Sequence, residues 1–461
     1  MELRKDKSNH MTAVIFALAG PTMLEQLMQT AVQYVDTAMV GSLGTQATAA
    51  VGSTGTVNWL ISSTISAVGV GFLSYISRAL GENHRSKARA ASGQAVFMVM
   101  LIGILFTILP LSLSRYVPVW MRVDPSTRKL AGQYFFIIYS PMLFRTASII
   151  FGTVLRAAGD TKTPLKVGVL VNIVNVLLNF FLIYPVRRFR FLRWYLMIPG
   201  AGWGIYGAAA ASAAAFAVGG VCMTLALWNH ADISPKGQAL KPTWVILKPC
   251  LRVAWPNALQ RFGTSLGYVV FASMINALGD VSTAAHTIAN TVESAFYIPG
   301  YGMQTAAATL AGNALGEGNE EKLKRLGRYI LRIEIGLMIL SGGLLFVCAP
   351  WMVGLFSKNE QVILLGTVVL RMVALSEPFY GISIVIEGML QGMGRTLLPF
   401  VVNIIGMWLV RILGTMICTV GLEMGLVAAW GCMIGHNLII SLVYIVFYRT
   451  GHWNPFEKQK K

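Results

Sequence analysis

Residues 21–53 read PTMLEQLMQTAVQYVDTAMVGSLGTQATAAVGS, an apolar helix with the carboxylate of Asp36 set inside it and a short uncharged turn behind it. Gln26, Gln29, Gln33 and Asp36 are spaced by three, four and three, which puts them on one helical face. An ionised Asp at membrane depth costs roughly 2.5–3.5 kcal/mol on insertion scales, so a carboxylate there marks a functional position. The stretch predicts a helix that lines a polar cavity. Asp36 is expected to hold a proton or a cation, with Gln33 and Tyr34 facing the cavity beside it.

Composition sets the class. The chain has 461 residues, 55% hydrophobic and 12% charged, whereas soluble domains carry about 25% charged residues. Twelve apolar spans are expected, near 12–40, 47–77, 92–113, 130–155, 165–185, 203–227, 249–277, 283–313, 327–348, 363–391, 399–421 and 424–447. Several exceed the ~20 residues needed to cross a bilayer, which predicts tilt or bending. The opening MELRKDKSNHM is short and mixed in charge and runs into a span without a small-residue cleavage site, so no signal peptide is expected.

The formal net charge of +18 is assigned to loops facing an anionic leaflet rather than to nucleic acid. Lys and Arg concentrate in the N-terminal segment, around Arg85, Lys87 and Arg89, in the stretch from Lys322 to Arg332 and in the tail. That bias predicts cytoplasmic N- and C-termini and a multi-pass protein of the cell (inner) membrane. Arg187, Arg188, Arg190 and Arg193 dissent, falling together on the outer side. The five cysteines are scattered, and none forms a CxxC, so they read as packing residues.

The halves repeat. ALGEN at 79–83 returns as ALGEG at 314–318, a shift of 235. Pro21 and Pro256, Leu43-Gly44 and Leu278-Gly279, Thr48-Ala-Ala and Thr283-Ala-Ala, and Pro164 and Pro399 share that offset. Six spans per half is an even number, so both copies enter the membrane the same way round, as parallel repeats. The fold class is an all-α membrane protein of twelve transmembrane helices in two pseudo-symmetric six-helix lobes. Residues 1–228 form the N-terminal lobe, 229–248 a polar cytoplasmic linker and 249–461 the C-terminal lobe with its basic tail.

The copies differ where the chemistry is expected. Asp36 is matched by Phe271. Asn172, Asn175 and Asn179 stand on one face of the fifth span and are matched by Met407, Val410 and Gly414. Amide carbonyls are ligands for hard cations, and amides also hold carboxyl groups by hydrogen bonds. The alternative for such residues is bonding between neighbouring helices. The second half adds Arg261, Glu293, Arg371, Glu377, Glu387 and Arg411 within spans, expected to pair with one another or to line water. Arg145 is the first half's own span arginine. Tyr34, Tyr139, Phe262, Tyr268, Phe271 and Trp408 are candidates for a cation-π wall. Asn172, Glu293 and Glu387 are placed in the substrate cavity with them. No GxxxxGK[ST], HExxH or GxSxG is present, so neither ATP-driven transport nor an enzyme is expected.

These motifs resemble the multidrug and toxic compound extrusion (MATE) family: Pro21 with VDTAMVGSLG, ALGEN and ALGEG, LRAAGDTKTP at 155–164, NIVNVLLN in the fifth span and GIYGAAAAS at 204–212. The resemblance covers nearly the whole chain. It implies two six-helix lobes around a V-shaped cavity. It also implies secondary active antiport by alternating access, in which cationic amphipathic drugs or toxic compounds are exported in exchange for protons or sodium ions. By the same resemblance Asp36, Asn175, Asn179 and Ser212 bind the coupling proton or cation, with sodium at Asp36, Asn175 and Asn179 if the ion is sodium. Asn179 stands where some members carry Asp, and Tyr139 resembles a cavity tyrosine. No cofactor is expected, and the partners are the lipid bilayer and small organic cations, with the chain as a monomer. The rival readings are a lipid-linked glycan flippase, an exporter of one specific metabolite, and a membrane enzyme or receptor. A flippase calls for a strongly cationic cavity, and the basic residues within the spans are few and mixed with Glu.

Overall fold

The computed structural model describes residues 2–120, 123–191 and 194–457. Among them the chain is helical apart from one antiparallel hairpin. The first half runs α1 (Glu2–Gly41), α2 (Thr45–Gly81), α3 (Arg85–Leu113), α4 (Val117–Trp120), α5 (Pro125–Tyr139), α6 (Met142–Ala157), α7 (Lys162–Leu182), β1 (Pro185–Phe191), β2 (Trp194–Ala201) and α8 (Ile205–Trp228). The second half runs α9 (Trp244–Asn276), α10 (Asp280–Phe296), α11 (Ile298–Gly316), α12 (Glu320–Phe356), α13 (Glu360–Ala374), α14 (Glu377–Gly392), α15 (Leu397–Ile405), α16 (Leu413–Met416) and α17 (Leu426–Arg449). Two π-helical stretches, Gly406–Ile412 and Ile417–Gly421, flank α16.

The 235-residue offset governs the backbone as well as the motifs. α1 ends at Gly41 and α9 at Asn276. α2 spans Thr45–Gly81, and α10 with α11 spans 280–316. α5 and α6 reappear as α13 and α14 with both ends shifted by 235. The fourth and tenth spans, each long enough for tilt or bending to be expected, are bent, by 50° and 52°. The bends fall at Ser140–Pro141 and Leu375–Ser376, again 235 apart. Pro141 precedes α6 and Pro378 opens α14. Neither ring nitrogen can donate a helical hydrogen bond, so the chain changes direction there.

The repeat is not followed everywhere. α2 is continuous, whereas its counterpart breaks at Tyr297, with Pro299 in the first turn of α11. The β1–β2 hairpin has no partner in the second half. From Ile205 to Leu426 the shift is 221, fourteen short of 235, because the hairpin sits between α7 and α8 while α17 follows its turn directly. Sequence reading left this connection without structure. Arg187, Arg188 and Arg190 lie on β1, and Arg193 lies outside the described residues.

Among the described residues eight helices are long and apolar enough to span a membrane, and the two bent pairs bring the number to ten. α9 and the α10–α11 pair occupy the seventh and eighth places. The break at Tyr297 leaves α10 with 17 residues and α11 with 19, and α9 mixes Arg261 and amides into its apolar run.

The chain gathers into two compact units, one of Leu24–Phe72 with Arg85–Lys248, the other of Met1–Met23, Leu73–His84 and Pro249–Lys461. In the first, the polar segment after α8 folds back on the start of α3. Gln94 donates to the carbonyls of Ala239 (3.3 Å) and Lys241 (2.9 Å) and accepts from the Thr243 N–H (2.8 Å). Asp124 caps α5, and the hydroxyl and N–H of Ser126 hold its carboxyl below the usual range. Deeper in this unit Arg156 of α6 reaches Glu25 of α1 at 2.6 Å, both largely shielded from solvent.

In the second unit α11 and α14 touch backbone to backbone. A Cβ on Gly392 would lie 1.9 Å from the Ala308 carbonyl oxygen, and one on Gly388 would lie 2.5 Å from that of Gln304. Glycine here is a requirement of approach, as at small-residue crossings in membranes.

Gly392→Ala is therefore expected to lower stability by about 1–3 kcal/mol, at the upper end because the obstacle is backbone. Gly431→Ala on α17, with open space around it, is the control. Thermal melting in detergent compares them, and equal melting points would refute the close approach. Arg156→Met strands the buried Glu25 and is expected to cost about 3–5 kcal/mol. The double change with Glu25→Gln should recover most of that loss in the same assay.

Candidate ion-binding site

The site grows from three helices of the first unit. α1 contributes Asp36, α7 contributes Asn175 and Asn179 one turn apart, and α8 contributes Ser212. Asn179 Nδ2 donates to Asp36 Oδ1 at 2.6 Å and to Asn175 Oδ1 at 3.1 Å. Asn175 Nδ2 lies 3.1 Å from Ser212 Oγ. Both asparagines are buried, at 6% and 2% exposure, while Asp36 is half-buried. Spacing by four on α7 stacks the two amides on one face, and α8, rich in alanine and glycine, lets α7 approach. A Cβ on Gly207 would sit 2.4 Å from the Leu182 carbonyl oxygen.

The same atomic positions fit the Asn175 amide either way round, so its hydrogen-bond partners decide which way it faces. In one orientation, its nitrogen donates to Asp36 at 2.8 and 3.1 Å, and its oxygen accepts from Ser212 Oγ at 3.1 Å. In the other, its oxygen faces the carboxylate, and its nitrogen donates to the serine. Two bare oxygens at that separation repel unless a proton or cation lies between them. Asn179 Oδ1 is buried without a hydrogen-bond partner, a further oxygen beside the carboxylate.

The other expected residues are placed as follows. Asn172 lies near one turn before Asn175, half-buried, with Nδ2 unpartnered. Gln33 and Tyr34 are exposed on α1. Tyr139 is fully buried beside Phe135, with ring centroids 4.2 Å apart, and its hydroxyl has no partner. In the second unit Phe262 is exposed on α9 and Glu293 is buried on α10. Glu387 on α14 accepts from Gln260 (2.9 Å), Gln391 (3.0 Å) and Asn403 (3.1 Å).

The expected pairing among the second-half span charges is not what forms. Among the described residues none of Arg261, Glu293, Arg371, Glu377, Glu387 and Arg411 makes an ion pair within 4.0 Å. Arg411 instead lies over the rings of Phe271 (4.2 Å) and Tyr268 (4.6 Å). Arg371 Nε donates to the Phe346 carbonyl (3.3 Å), and Arg261 to Asn257 (3.2 Å). In the first unit Arg145 takes Asn58 and packs 4.5 Å over the Phe216 ring. Aromatic faces and carbonyls stabilise guanidinium groups without a carboxylate.

Sequence reasoning missed Glu25, Arg156 and Glu334. Glu25 lies in the opening stretch itself, eleven residues before Asp36. The signal that finds Glu25 and Arg156 is the repeat, since their matches, Gln260 and Gln391, are also polar. Glu334 on α12 is fully buried, with neither carboxyl oxygen hydrogen-bonded. Its Oε1 would be 2.8 Å from a Cβ on Gly381 and 3.1 Å from one on Gly300, so those two glycines form its slot. Its match is Val99, and only its place in an apolar run could have flagged it.

Comparison with known proteins agrees with the architecture. The MatE family model matches residues 21–181 and 256–417, two blocks whose starts are 235 apart. The chain is 26% identical over 452 residues to the probable multidrug resistance protein NorM of Thermotoga maritima, covering 98% of this chain and 95% of that one. It is 24% identical over 408 residues to the multidrug resistance protein MdtK of Yersinia pseudotuberculosis, covering 86% and 85%. Among solved structures, the outward-facing conformation of a multidrug resistance MATE family transporter of the MOP superfamily superposes with a TM-score of 0.87. That match is at 22% identity and covers 96% of both chains. A MATE structure in complex with MaL6 matches equally, at 0.87 and 22%, over 96% of this chain and 97% of that one. Two matched blocks on one backbone repeat place this chain in the MatE family of multidrug efflux membrane transporters, built of twelve helices in two lobes.

Proposed function

We propose that this protein is an antiporter of the cell membrane that exports cationic amphipathic compounds in exchange for a proton or a sodium ion bound at Asp36. The observation that carries this is the Asp36 cluster, one carboxylate bonded by the Asn179 amide and flanked by the Asn175 amide, which is itself backed by the Ser212 hydroxyl, without a lysine or arginine within 4.0 Å of Asp36 among the described residues. A carboxylate locked to a permanent cation has no charge to exchange, whereas one held by neutral dipoles does.

The Asn175 amide supplies a two-state element. With Asp36 ionised and empty, the amide nitrogen faces the carboxylate, and Ser212 donates to the amide oxygen. With a proton on Asp36, the amide oxygen accepts that proton, and Ser212 becomes the acceptor. A sodium ion would favour the same orientation, since its ligands are oxygens: Asp36, Asn175 Oδ1 and the unpartnered Asn179 Oδ1. Charge at Asp36 is thereby passed from α1 to α7 and α8 as a reorientation of hydrogen bonds. Neutralising the carboxylate also removes its burial cost, so α1 can repack. One charge crossing 100 mV supplies about 2.3 kcal/mol, enough for a roughly fifty-fold gradient of a neutral compound. Gln33, Tyr34, Tyr139, Asn172, Phe262, Glu293 and Glu387 are assigned to substrate contact. The termini are assigned to the cytoplasm by the Lys and Arg bias, and the working unit is a monomer.

Asp36→Asn is expected to abolish export of a fluorescent organic cation such as ethidium from cells while leaving the amount of protein in the membrane unchanged. Full export by that variant would end the proposal. In proteoliposomes a proton gradient and a sodium gradient, each imposed alone, separate the two ions. Export under neither would refute the antiport reading. Ser212→Ala keeps Asp36 but removes one partner of the amide, and should reduce transport rate about tenfold or less, as expected for one neutral hydrogen bond of about 0.5–1.5 kcal/mol.

A further inference from the structure

The corner that holds the Asp36 cluster in the first half has a counterpart in the second, and an arginine stands in it. A shift of 235 carries Asp36 of α1 to Phe271 of α9, and Asn175 and Asn179 of α7 to Val410 and Gly414. The shift of 221 between α8 and α17 carries Ser212 to Met433. None of these four counterparts bears a charge or an amide. Among them stands Arg411, whose own match is Val176. Its guanidinium carbon lies 4.2 Å from the Phe271 ring centre, and its Nη2 donates to Met433 Sδ at 3.0 Å. Arg411 thus rests on the counterparts of the carboxylate and of the serine. The Tyr268 ring, 4.6 Å away, gives it a second aromatic face.

The backbone is reworked to put it there. α7 is a regular α-helix, whereas its counterpart winds as a π-helix over Gly406–Ile412, the stretch that carries Arg411. A π-turn takes an extra residue into each hydrogen-bonded ring and re-aims its side chains, and such turns concentrate at functional positions. Glycines bring the neighbouring helices in. A Cβ on Gly406 would lie 2.8 Å from His436 Cδ2 and 2.7 Å from Ile440 Cδ1, both on α17, and one on Gly267 of α9 would collide with Met407. Arg411 is 3% exposed, and no carboxylate stands within 4.0 Å of it among the described residues. Glu293 and His286 of α10 and His436 of α17 lie near enough to feel its charge. His286 accepts at Nδ1 from Trp430 Nε1 (3.2 Å), and neither ring nitrogen of His436 has a partner. A guanidinium is weakly hydrated and lies flat on aromatic faces, so it tolerates a place that offers rings instead of an acid.

We propose that Arg411 is a resident cation, occupying in the second half the place that the exchangeable ion takes in the first. That corner is then loaded at all times and exchanges nothing. The comparison with an exchangeable ion rests on the Asp36 reading, whereas the occupancy by Arg411 does not. Arg411 is a positioning residue, joining α9, the eleventh span and α17 through one fixed charge. The ring faces beneath it are taken, so the charge of a transported cation has to be met elsewhere.

Thermal melting of the full-length protein in lipid nanodiscs tests this. Phe271→Asp and Phe271→Asn open the same space and differ by one charge. With Arg411 present, Phe271→Asp should melt higher than Phe271→Asn, since its carboxylate meets a cation already in place. Combined with Arg411→Met the order should invert, because the carboxylate is then buried alone. Arg411→Ala should melt below wild type and regain that loss in millimolar methylguanidinium. Methylurea, of the same shape without the charge, should not restore it, and wild type should respond to neither. Phe271→Asp melting no higher than Phe271→Asn, an order unchanged by Arg411→Met, or equal recovery in methylurea would each overturn the proposal. Should Arg411→Ala fail to fold, the Phe271 pair decides alone. Every variant keeps Asp36 and the readout needs no transport, so failure here leaves the Asp36 reading untouched, and full export by Asp36→Asn leaves the occupancy by Arg411 standing.

Discussion

An acid inside a membrane-spanning helix has to be matched, and how it is matched decides what it can do. This chain contains several solutions to that one constraint. Glu25 is matched by a guanidinium at 2.6 Å and is fixed. Asp36 is matched by the neutral amide of Asn179, with Asn175 and Ser212 next in line. Glu387 sits in a cage of three amides. A permanent cation makes a strut, while neutral dipoles leave room for an ion that comes and goes.

The repeat separates scaffold from chemistry. Helix ends, bends and breaks recur at one offset, since they follow from proline, glycine and the length needed to cross a bilayer. Polar side chains obey no such rule. Asp36 is matched by the buried Phe271, and the Asn175 and Asn179 positions are matched by Val410 and Gly414. Two copies of one backbone thus host different sites, and one copy can be specialised without disturbing the frame of the other.

Much of the fold was legible in the sequence. Apolar run length gave the spans, and the shared offset of ALGEN and ALGEG, Pro21 and Pro256 gave the duplication. Bending was expected of the over-long spans, but its place at Ser140–Pro141 and Leu375–Ser376 was not legible, because the apolar pattern continues across both points and hydropathy does not record direction. The hairpin after α7 was hidden by its arginines, which read as a charged loop. In the candidate site Asp36, Asn175 and Asn179 were legible from spacing by three and four along α1 and α7. Ser212 came only from resemblance, since one serine in an alanine-rich helix carries no signal of its own. Of the two expectations for the second-half charges, pairing and lining water, the pairing does not form among the described residues; sequence does not show that aromatic faces and carbonyls are within reach of Arg411 and Arg371.

The glycine contact between α11 and α14 bears on how this molecule can change shape. With the Ala308 and Gln304 carbonyls pressed against Gly392 and Gly388, there is no cushion of side chains over which those two helices could slide or roll. They have to travel as one stiff beam. Deformation in that region is left to the joints at its ends, at Tyr297 before α11 and at Leu375–Ser376 before α14, so the flexing points of the second half are already drawn by where its prolines fall.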